Sequence, residues 1–519
     1  MSPNFLVMKF VRFLLIFSFI PLLGVAATVS PGEPLRVESG LVAGVASDTT
    51  GVTVYRGIPF AAAPVGDLRW KPPVPREPWE GVLQADTYCK SCMQELRRSY
   101  LPWTEEYMLR NDVDEDCLAV NIWTPAKSSD EKLPVLVWIH GGAYFSGSGE
   151  VELYDGEGLA KKGMIVVTIN YRLGVFGFLA HPELTAESPE GSSGNYALLD
   201  QIAALKWVKR NIAPFGGDPE RITVGGQSAG AGAVHFLTAS PQARGTFDRA
   251  IAQSGPWRTG SNTPDLAAGE KLGRDFAEAI GAPSLTELRA LSADELYARY
   301  AAHEYRFRPI VDGWVVPDQV EAVFARGEQV DVPMLMGWTA DEASSRAGYG
   351  ESSVAEFAQR AQEMHGDAAA AFLALYPAKT DAEAGGQLKR SIRHRNLAFL
   401  RAWAKARGPT PDYGYLFERA IPWPEYPQYG AFHSAEMPYM FNNLRLMDRP
   451  WTEVDHRVAE EMSNYWVNFV ATGNPNGPGL PRWPASDDRI MRFGEQTSAD
   501  WILPLEVLEF YESAFANQN

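Results

Sequence analysis

Short apolar runs alternate with stretches of helical periodicity along much of the chain. The runs are rich in β-branched residues and end at glycine or polar residues, as buried strands do. They are Leu133–Ile139, Met164–Ile169, Arg221–Gly226, Arg249–Ser254, Val332–Gly337 and Tyr413–Glu418. Residues 195–211, between the second and third runs, carry apolar residues at helical spacing. This alternation predicts an α/β fold whose mostly parallel sheet is covered by helices on both faces.

The polar motifs of the chain follow directly after these predicted strands. Parallel sheets bind ligands in the loops beyond the carboxyl ends of their strands. Glycine-rich or acidic motifs follow the runs that end at Ile139, Gly226 and Gly337. No internal repeat or low-complexity linker divides the chain, so a single domain is expected.

The sequence Gly226-Gln227-Ser228-Ala229-Gly230 fits the G-x-S-x-G nucleophile elbow. In an elbow, a sharp turn from strand to helix exposes the serine hydroxyl above the sheet and requires small residues two positions away on either side. A glycine-rich turn without catalytic function also fits five such residues. The predicted strand before the motif and the helical pattern over 231–237 favour the elbow.

A nucleophilic serine needs a base within hydrogen-bonding reach, and eight histidines are available. His433 is the strongest candidate, because it lies in a loop (429–436) after the last clear strand and because elbow enzymes order their triad as serine, acid, histidine. The alternative is a histidine without catalytic function. The other histidines precede the serine or fall in the elbow helix or other segments with helical patterning: His140, His181, His235, His303, His365, His394 and His456.

The acid that orients the base should lie between Ser228 and His433, beyond a strand end. Asp341 and Glu342 are adjacent there, after the run that ends at Gly337. This carboxylate would fix the imidazole tautomer and stabilise the imidazolium without taking the proton. The residues alone leave the choice between the two carboxylates open.

His140-Gly141-Gly142-Ala143-Tyr144 resembles an oxyanion loop of lipases and esterases. Consecutive glycines let the backbone turn its N–H groups toward a ligand without interference from a Cβ. Such donors stabilise the negative charge that develops on the carbonyl oxygen during acyl transfer. We expect an oxyanion hole formed by the N–H groups of Gly142, Ala143 and Ala229.

Composition excludes some classes of function. The chain has 519 residues, 45% of them hydrophobic, and a net charge of −17 without any block of Lys and Arg. A nucleic-acid-binding protein needs a basic surface, so we expect no nucleic-acid partner. After residue 27, no apolar run has the length needed to span a bilayer, which predicts no stable membrane insertion.

The N-terminus has the features of a secretory signal peptide. Lys9 and Arg12 precede the apolar run Phe13–Val25, which ends in small residues at Ala26 and Ala27. A membrane anchor is the alternative, but this run is shorter than the ~20 residues needed to cross a bilayer. We expect a signal peptide over 1–27, a mature domain over 28–519, and a secreted or periplasmic location.

Three cysteines, Cys89, Cys92 and Cys117, allow at most one intramolecular disulfide. Disulfides persist in the oxidising compartments that an exported chain reaches. A structural zinc site usually needs four ligands, and no histidine lies near these cysteines at ligand spacing. A disulfide is therefore favoured, and no metal is expected.

Taken together, the motifs resemble the carboxylesterase type-B family, which includes carboxylesterases, cholinesterases and bacterial esterases. The resemblance extends from about Arg56 to about Trp483. It rests on the elbow and on the segments 55–61, 170–172, 194–201 and 215–230. It implies an α/β-hydrolase fold, a small-molecule ester substrate, no cofactor and an acyl-enzyme mechanism, in a member similar to bacterial esterases.

The resemblance also assigns individual residues. The family's nucleophile, acid and histidine fall on Ser228, Glu342 and His433. Its N-terminal disulfide falls on Cys92 and Cys117, which leaves Cys89 free. Three positions depart from the family pattern: Ala119 replaces an aromatic residue, Ala143 the third glycine of the oxyanion loop, and Ala343 a glycine after the acid. The tryptophan motif that binds choline is absent before Cys117, so the resemblance does not extend to a cholinesterase.

Two alternatives to an esterase are an amidase or peptidase that uses the same triad, and a binding module on the same fold. A binding module of this kind loses the serine or the histidine, and this chain has both. Aromatic residues could line a substrate gorge, although aromatic residues more often pack in the core. They are Trp257, Tyr305, Phe307, Trp314, Trp338 and Tyr349. We expect a monomer or a weak homo-oligomer.

Overall fold

A computed structural model describes residues 26–48, 51–96, 99–255, 263–485 and 488–516. The apolar run of the predicted signal peptide and Trp257 lie outside the described residues. The strands of the described chain are β1 (Leu35–Val37), β2 (Gly40–Ala43), β3 (Val45–Ala46), β4 (Thr53–Pro59), β5 (Val82–Gln84), β6 (Ser91–Cys92), β7 (Val113–Asp114), β8 (Ala119–Thr124), β9 (Leu133–Ile139), β10 (Ile165–Ile169), β11 (Gly217–Gln227), β12 (Arg249–Gln253), β13 (Met334–Thr339), β14 (Asp412–Phe417), β15 (Arg489–Phe493) and β16 (Thr497–Trp501).

Eleven of these strands form one sheet in the order β16-β15-β14-β13-β12-β11-β9-β10-β8-β4-β3. The strands from β15 to β10 in this order are parallel to one another, and antiparallel strands complete both edges. The predicted fold class, an α/β-hydrolase with a central, mostly parallel sheet, is confirmed.

Helices cover the sheet and connect its strands. They are α1 (Glu157–Ala160), α2 (Gly174–Phe178), α3 (Pro182–Glu187), α4 (Tyr196–Asn211), α5 (Ala229–Ala239), α6 (Leu266–Ala279), α7 (Leu285–Ala290), α8 (Ala293–Ala301), α9 (Val320–Ala325), α10 (Val354–His365), α11 (Ala369–Leu375), α12 (Asp381–Arg407), α13 (Met437–Met440), α14 (Glu453–Thr472) and α15 (Leu505–Ala516). The prediction of helical structure at His303 is wrong, because α8 ends at Ala301 and His303 follows in a turn.

The apolar runs form the interior of the sheet because both of their faces are buried. Every residue of β10 is buried, and in β9 all residues after Leu133 are buried. Trp138 of β9 packs edge-on against Phe441, with ring centroids 5.2 Å apart. Strands β11 and β13 both pair in parallel with β12. Their carboxyl ends therefore lie on the same side of the sheet, where the predicted catalytic loops begin. In the described part of the chain, no helix combines the length and apolar character needed to cross a membrane.

Candidate active site

Ser228 occupies the tight turn between β11 and α5. Its φ of 58° and ψ of −121° lie in a region that non-glycine residues rarely adopt. Its backbone N–H donates to the Gln253 carbonyl at 2.9 Å, and its carbonyl accepts from the Gly232 N–H at 2.9 Å. The neighbouring strand β12 and the first turn of α5 thus hold the strained serine in place.

The two glycines of the elbow are required by packing. A Cβ on Gly226 would lie 2.5 Å from the Gly230 carbonyl carbon, and a Cβ on Gly230 would lie 2.1 Å from the Ile139 carbonyl oxygen. The elbow therefore packs directly against the end of β9. This contact brings the loop that follows β9 next to the serine.

The loop 140–146 passes beside Ser228. A Cβ on Gly141 would lie 3.2 Å from the Ser228 Cβ. The Gly142 carbonyl accepts from the N–H groups of Phe145 and Ser146 at 3.1 and 3.0 Å, and φ is 114° at Gly142 and 54° at Ala143. Within the described residues, the N–H groups of Gly142, Ala143 and Ala229 donate no hydrogen bond. These three donors remain available to a ligand.

His433 contacts Glu342 and faces the elbow. Its Nδ1 lies 2.5 Å from Glu342 Oε2, and the two side chains are 22% and 9% exposed. The Thr339 N–H donates to Glu342 Oε1 at 2.9 Å and fixes the carboxylate. The other ring nitrogen of His433, Nε2, lies 3.3 Å from the side-chain nitrogen of Gln227, the residue before Ser228.

Asp341 has a different set of contacts from Glu342. Its Oδ2 accepts from the Ala431 N–H at 3.0 Å, and its own N–H donates to the Ala431 carbonyl at 2.9 Å. Its Oδ1 accepts from the Tyr349 hydroxyl at 3.2 Å. Asp341 therefore joins the loop after β13 to the loop that carries His433, whereas Glu342 binds the imidazole itself.

Opposing influences determine the pKa of His433. Burial lowers it, but the Glu342 carboxylate raises it through both its charge and its hydrogen bond, and Glu436 raises it further. The Arg346 guanidinium opposes this increase. The carboxylates prevail, so the pKa of the His433 imidazole lies above its usual value.

Three of the other histidines make structural contacts within the described residues. Burial lowers the pKa of His140 to about 4 and that of His235 to about 3, so both are neutral near pH 7. His140 stacks on Tyr171, and His235 packs edge-on against Trp403. His181 accepts from the Glu183 N–H at the start of α3.

Residues 32–502 match the model of a protein family that is described as "Carboxylesterase family". The chain belongs to the carboxylesterase family. The resemblance to the carboxylesterase type-B family and the prediction of a carboxylic ester hydrolase are both confirmed. Hydrolysis of carboxylic esters is thus the activity of this carboxylesterase.

Relatives of this carboxylesterase include two bacterial esterases. A fumonisin B1 esterase from Sphingopyxis macrogoltabida is 37% identical, over 91% of this chain and 88% of its own. A para-nitrobenzyl esterase from Bacillus subtilis (strain 168) is also 37% identical, over 88% of this chain and 92% of its own. An acetylcholinesterase from Bungarus fasciatus is 33% identical, over 86% of this chain and 80% of its own.

The carboxylesterase contains a disulfide between Cys92 and Cys117, and Cys89 is a free thiol. The Cys89 thiol donates to the Asp116 carbonyl at 3.4 Å. Burial, the largest influence, and the carboxylates of Asp116 and Asp114 raise the pKa of this thiol to about 11, so it is protonated near pH 7. Among the described residues, no group of three or more His, Cys, Asp or Glu side chains could hold a metal ion.

Two residues near the site were not identified by sequence reasoning. Trp103 packs edge-on against His433, with ring centroids 6.4 Å apart. Glu436 is fully buried three residues after His433, and burial, with the nearby Glu342 carboxylate, raises its pKa to about 7. Neither residue belongs to a motif, although Trp103 could have been noticed because it lies between the disulfide cysteines.

Some of the predicted gorge aromatics are packing residues. Phe307 is buried and packs edge-on against Phe276 at 5.3 Å, and Tyr305 packs against the same ring at 5.4 Å. Tyr349 lies closer to the site, because its hydroxyl donates to Asp341. Packing thus accounts for Tyr305 and Phe307 without a ligand, as the alternative interpretation of these aromatics expects.

Proposed function

We propose that this chain is an exported serine carboxylesterase in which Ser228 is the nucleophile, His433 the general base and acid, and Glu342 the orienting carboxylate. The observation that carries the proposal is the short contact between His433 Nδ1 and Glu342 Oε2 beside a strained serine elbow. The backbone N–H groups of Gly142, Ala143 and Ala229 complete the proposed catalytic site as its oxyanion hole.

The chemistry proceeds in two displacements. Ser228 Oγ attacks the ester carbonyl carbon while His433 Nε2 accepts the hydroxyl proton. The carbonyl oxygen becomes negatively charged and binds the three N–H donors, each of which contributes about 3 kcal/mol to transition-state stabilisation. Collapse of the intermediate releases the alcohol, which takes the proton from His433. Water then hydrolyses the acyl-enzyme by the same proton transfers and returns Ser228 to its hydroxyl form.

Glu342 stays ionised throughout these steps. Its Oε2 holds the Nδ1–H tautomer, so that Nε2 keeps a lone pair for the serine proton. The hydrogen bond from the Thr339 N–H fixes the carboxylate in the orientation that this contact requires. The positive charge that His433 gains during attack is stabilised by the same carboxylate.

The substrate class is a small-molecule carboxylic ester, and an amide is the main alternative. Amide cleavage requires His433 to protonate the leaving nitrogen, which is a stricter geometric demand than protonation of an alkoxide. The two bacterial relatives are named for fumonisin B1 and para-nitrobenzyl esters. Both compounds therefore belong in a substrate panel for this chain.

Active-site titration tests the proposed function. A fluorophosphonate should label the protein at one site per chain, and peptide mapping should place the label on Ser228. Matched nitrophenyl ester and nitroanilide substrates with the same acyl group then compare esters with amides directly. We expect ester turnover to be lost in proportion to labelling. Labelling at another serine, or faster turnover of the anilide, would contradict the proposal.

Export is part of the proposal. The positively flanked apolar run and the small residues at Ala26 and Ala27 support cleavage of a signal peptide after residue 27. The Cys92–Cys117 disulfide is compatible with an oxidising compartment, in which such bonds persist. The mature domain would then cover 28–519, in a secreted or periplasmic location.

Activity should depend on pH through His433. Only the neutral imidazole accepts the serine proton, and its raised pKa keeps it protonated to a higher pH than usual. We therefore expect kcat/KM for an uncharged ester to rise with pH through one protonation, with its midpoint above the ordinary histidine value of about 6.5. The measurement is kcat/KM from pH 5 to 9.

Two buried carboxyls provide a comparison for this profile. Glu436→Gln removes a nearby negative charge that raises the His433 pKa, so the midpoint should fall. Asp412→Asn is the matched control. Asp412 also has a pKa raised to about 7, but it is the first residue of β14, whereas the site lies beyond the carboxyl ends of the strands. A midpoint below 6.5 in the parent, or an equal shift in both variants, would contradict the assignment to His433.

A further inference from the structure

The loop that carries His433 has a strained backbone. Ser434, the next residue, has a φ of 82°, in the left-handed region that serine rarely adopts. Such a conformation persists only where the surrounding structure holds it. The contacts of Ser434 therefore show what keeps His433 in position.

Two aromatic residues from a distant segment bind Ser434. Trp103 Nε1–H donates to Ser434 Oγ at 3.3 Å, and the Tyr107 hydroxyl donates to the Ser434 carbonyl at 3.4 Å. The Trp103 ring also packs edge-on against the rings of Phe432 and His433, at 6.2 and 6.4 Å. Tyr107 packs against Phe432 at 5.9 Å. The residues on both sides of the imidazole are thus held from one surface.

This surface belongs to the segment closed by the Cys92–Cys117 disulfide. Strands β6 and β7 pair near the ends of the segment and shorten the free part of it. Tyr100 and Trp103 exchange backbone hydrogen bonds in both directions, at 3.0 and 2.8 Å, which fixes the turn that presents the indole. The segment is therefore tied down at its base and at the turn that contacts the histidine loop.

We propose that Trp103 and Tyr107, two residues of the disulfide-closed segment, are positioning residues that hold His433 in its productive orientation through Ser434. This inference rests on the proposed function, in which His433 is the base. A displacement of about 1 Å in a catalytic group can lower the rate about 10²-fold. Loss of these contacts should therefore reduce turnover even where substrate binding is unchanged.

Steady-state kinetics with a small nitrophenyl ester separate positioning from substrate binding. Trp103→Ala removes both the hydrogen bond and the ring contacts, and we expect kcat to fall about 10- to 100-fold with less than a threefold change in KM. Trp103→Phe keeps an aromatic ring but lacks the hydrogen bond, so its kcat should lie between those of the parent and Trp103→Ala. Leu96→Ala is the control, because Leu96 is 55% exposed on the same segment, and its kcat should equal that of the parent.

A double-mutant cycle tests the path through Ser434 and does not depend on the stability of Trp103→Ala. Trp103→Phe and Ser434→Ala each remove one partner of the same hydrogen bond, and each should lower kcat about 2- to 10-fold. The double variant should be no slower than the slower single variant, because the bond is already lost. Multiplicative effects would overturn the proposed path.

His433→Ala distinguishes failure of this inference from failure of the proposed function. If His433→Ala loses turnover while Trp103→Ala keeps the parent kcat, or changes only KM, the positioning role is overturned and the proposed function stands. If His433→Ala keeps the parent turnover, both are overturned. Loss of turnover in His433→Ala together with the expected pattern in the Trp103 and Ser434 variants would establish the positioning role.

Discussion

Ser228→Ala should lower kcat for a nitrophenyl ester by about 10⁶-fold and leave the fold intact. In the proposed mechanism, the substitution removes the atom that attacks the carbonyl, so the acyl-enzyme cannot form on this residue. The backbone strain at Ser228 does not depend on its hydroxyl, so alanine can occupy the same turn between β11 and α5. The expected residual rate above that in water comes from the oxyanion donors and from substrate binding. The measurement is kcat with the parent and the variant at equal concentration, together with a thermal melt.

Ser240→Ala is the matched control for this experiment. Ser240 is buried at the opposite end of the same helix, α5, where its hydroxyl accepts from the Gln242 N–H. The same atomic deletion there should leave kcat unchanged. Protein purified from a second host excludes contamination by a host esterase. If Ser228→Ala still turned over ester at the parent rate, the elbow assignment would be refuted.

Glu342→Gln should lower kcat by about 10⁴-fold, the second largest effect that we expect. A glutamine amide can donate to His433 Nδ1, which favours the tautomer with the hydrogen on Nε2. That tautomer cannot accept the Ser228 proton, and the neutral amide cannot stabilise the imidazolium. The remaining activity should have its pH midpoint below that of the parent, because the carboxylate that raises the His433 pKa is gone.

Asp341→Asn is the adjacent comparison, and its effect should be less than about tenfold. Asparagine keeps an oxygen that can accept from the Ala431 N–H, so the link between the two loops survives. The substitution removes the attraction of Arg393, whose guanidinium lies 3.8 Å from the Asp341 carboxylate, and the acceptor of the Tyr349 hydroxyl, but neither of these groups contacts the imidazole. Both variants are compared by kcat/KM over the same pH range. A larger loss in Asp341→Asn than in Glu342→Gln would move the acid by one residue.

The strands at the centre of the sheet were predictable because burial on both faces leaves a local signal. The run Leu133–Ile139 coincides with β9, and Arg249–Ser254 extends one residue past β12. The antiparallel strands at the sheet edges were not predicted. Strand β16, for example, is largely exposed and has no apolar run, so only its pairing with β15 defines it.

The elbow was also predictable, since its requirements are local. Gly226 and Gly230 flank Ser228 within five residues, and the close approaches that exclude a side chain at either glycine follow from the turn and from strand β9 beside it. A short sequence was therefore enough to predict the turn and the serine. By contrast, the partner of His433 depends on how two loops, separated by about ninety residues, come together.

The sequence by itself determined the class of fold and the local turn at Ser228, and it predicted the glycine-rich loop and the histidine in the loop after β14 as parts of the site. Only the tertiary structure decided that Glu342 binds His433 while Asp341 joins the two loops. It also brought Trp103 against the histidine and buried Glu436 beside it. The physical reason is range: turn conformation and strand burial depend on neighbouring residues, whereas contacts between side chains far apart in the chain depend on the register and packing of the whole sheet.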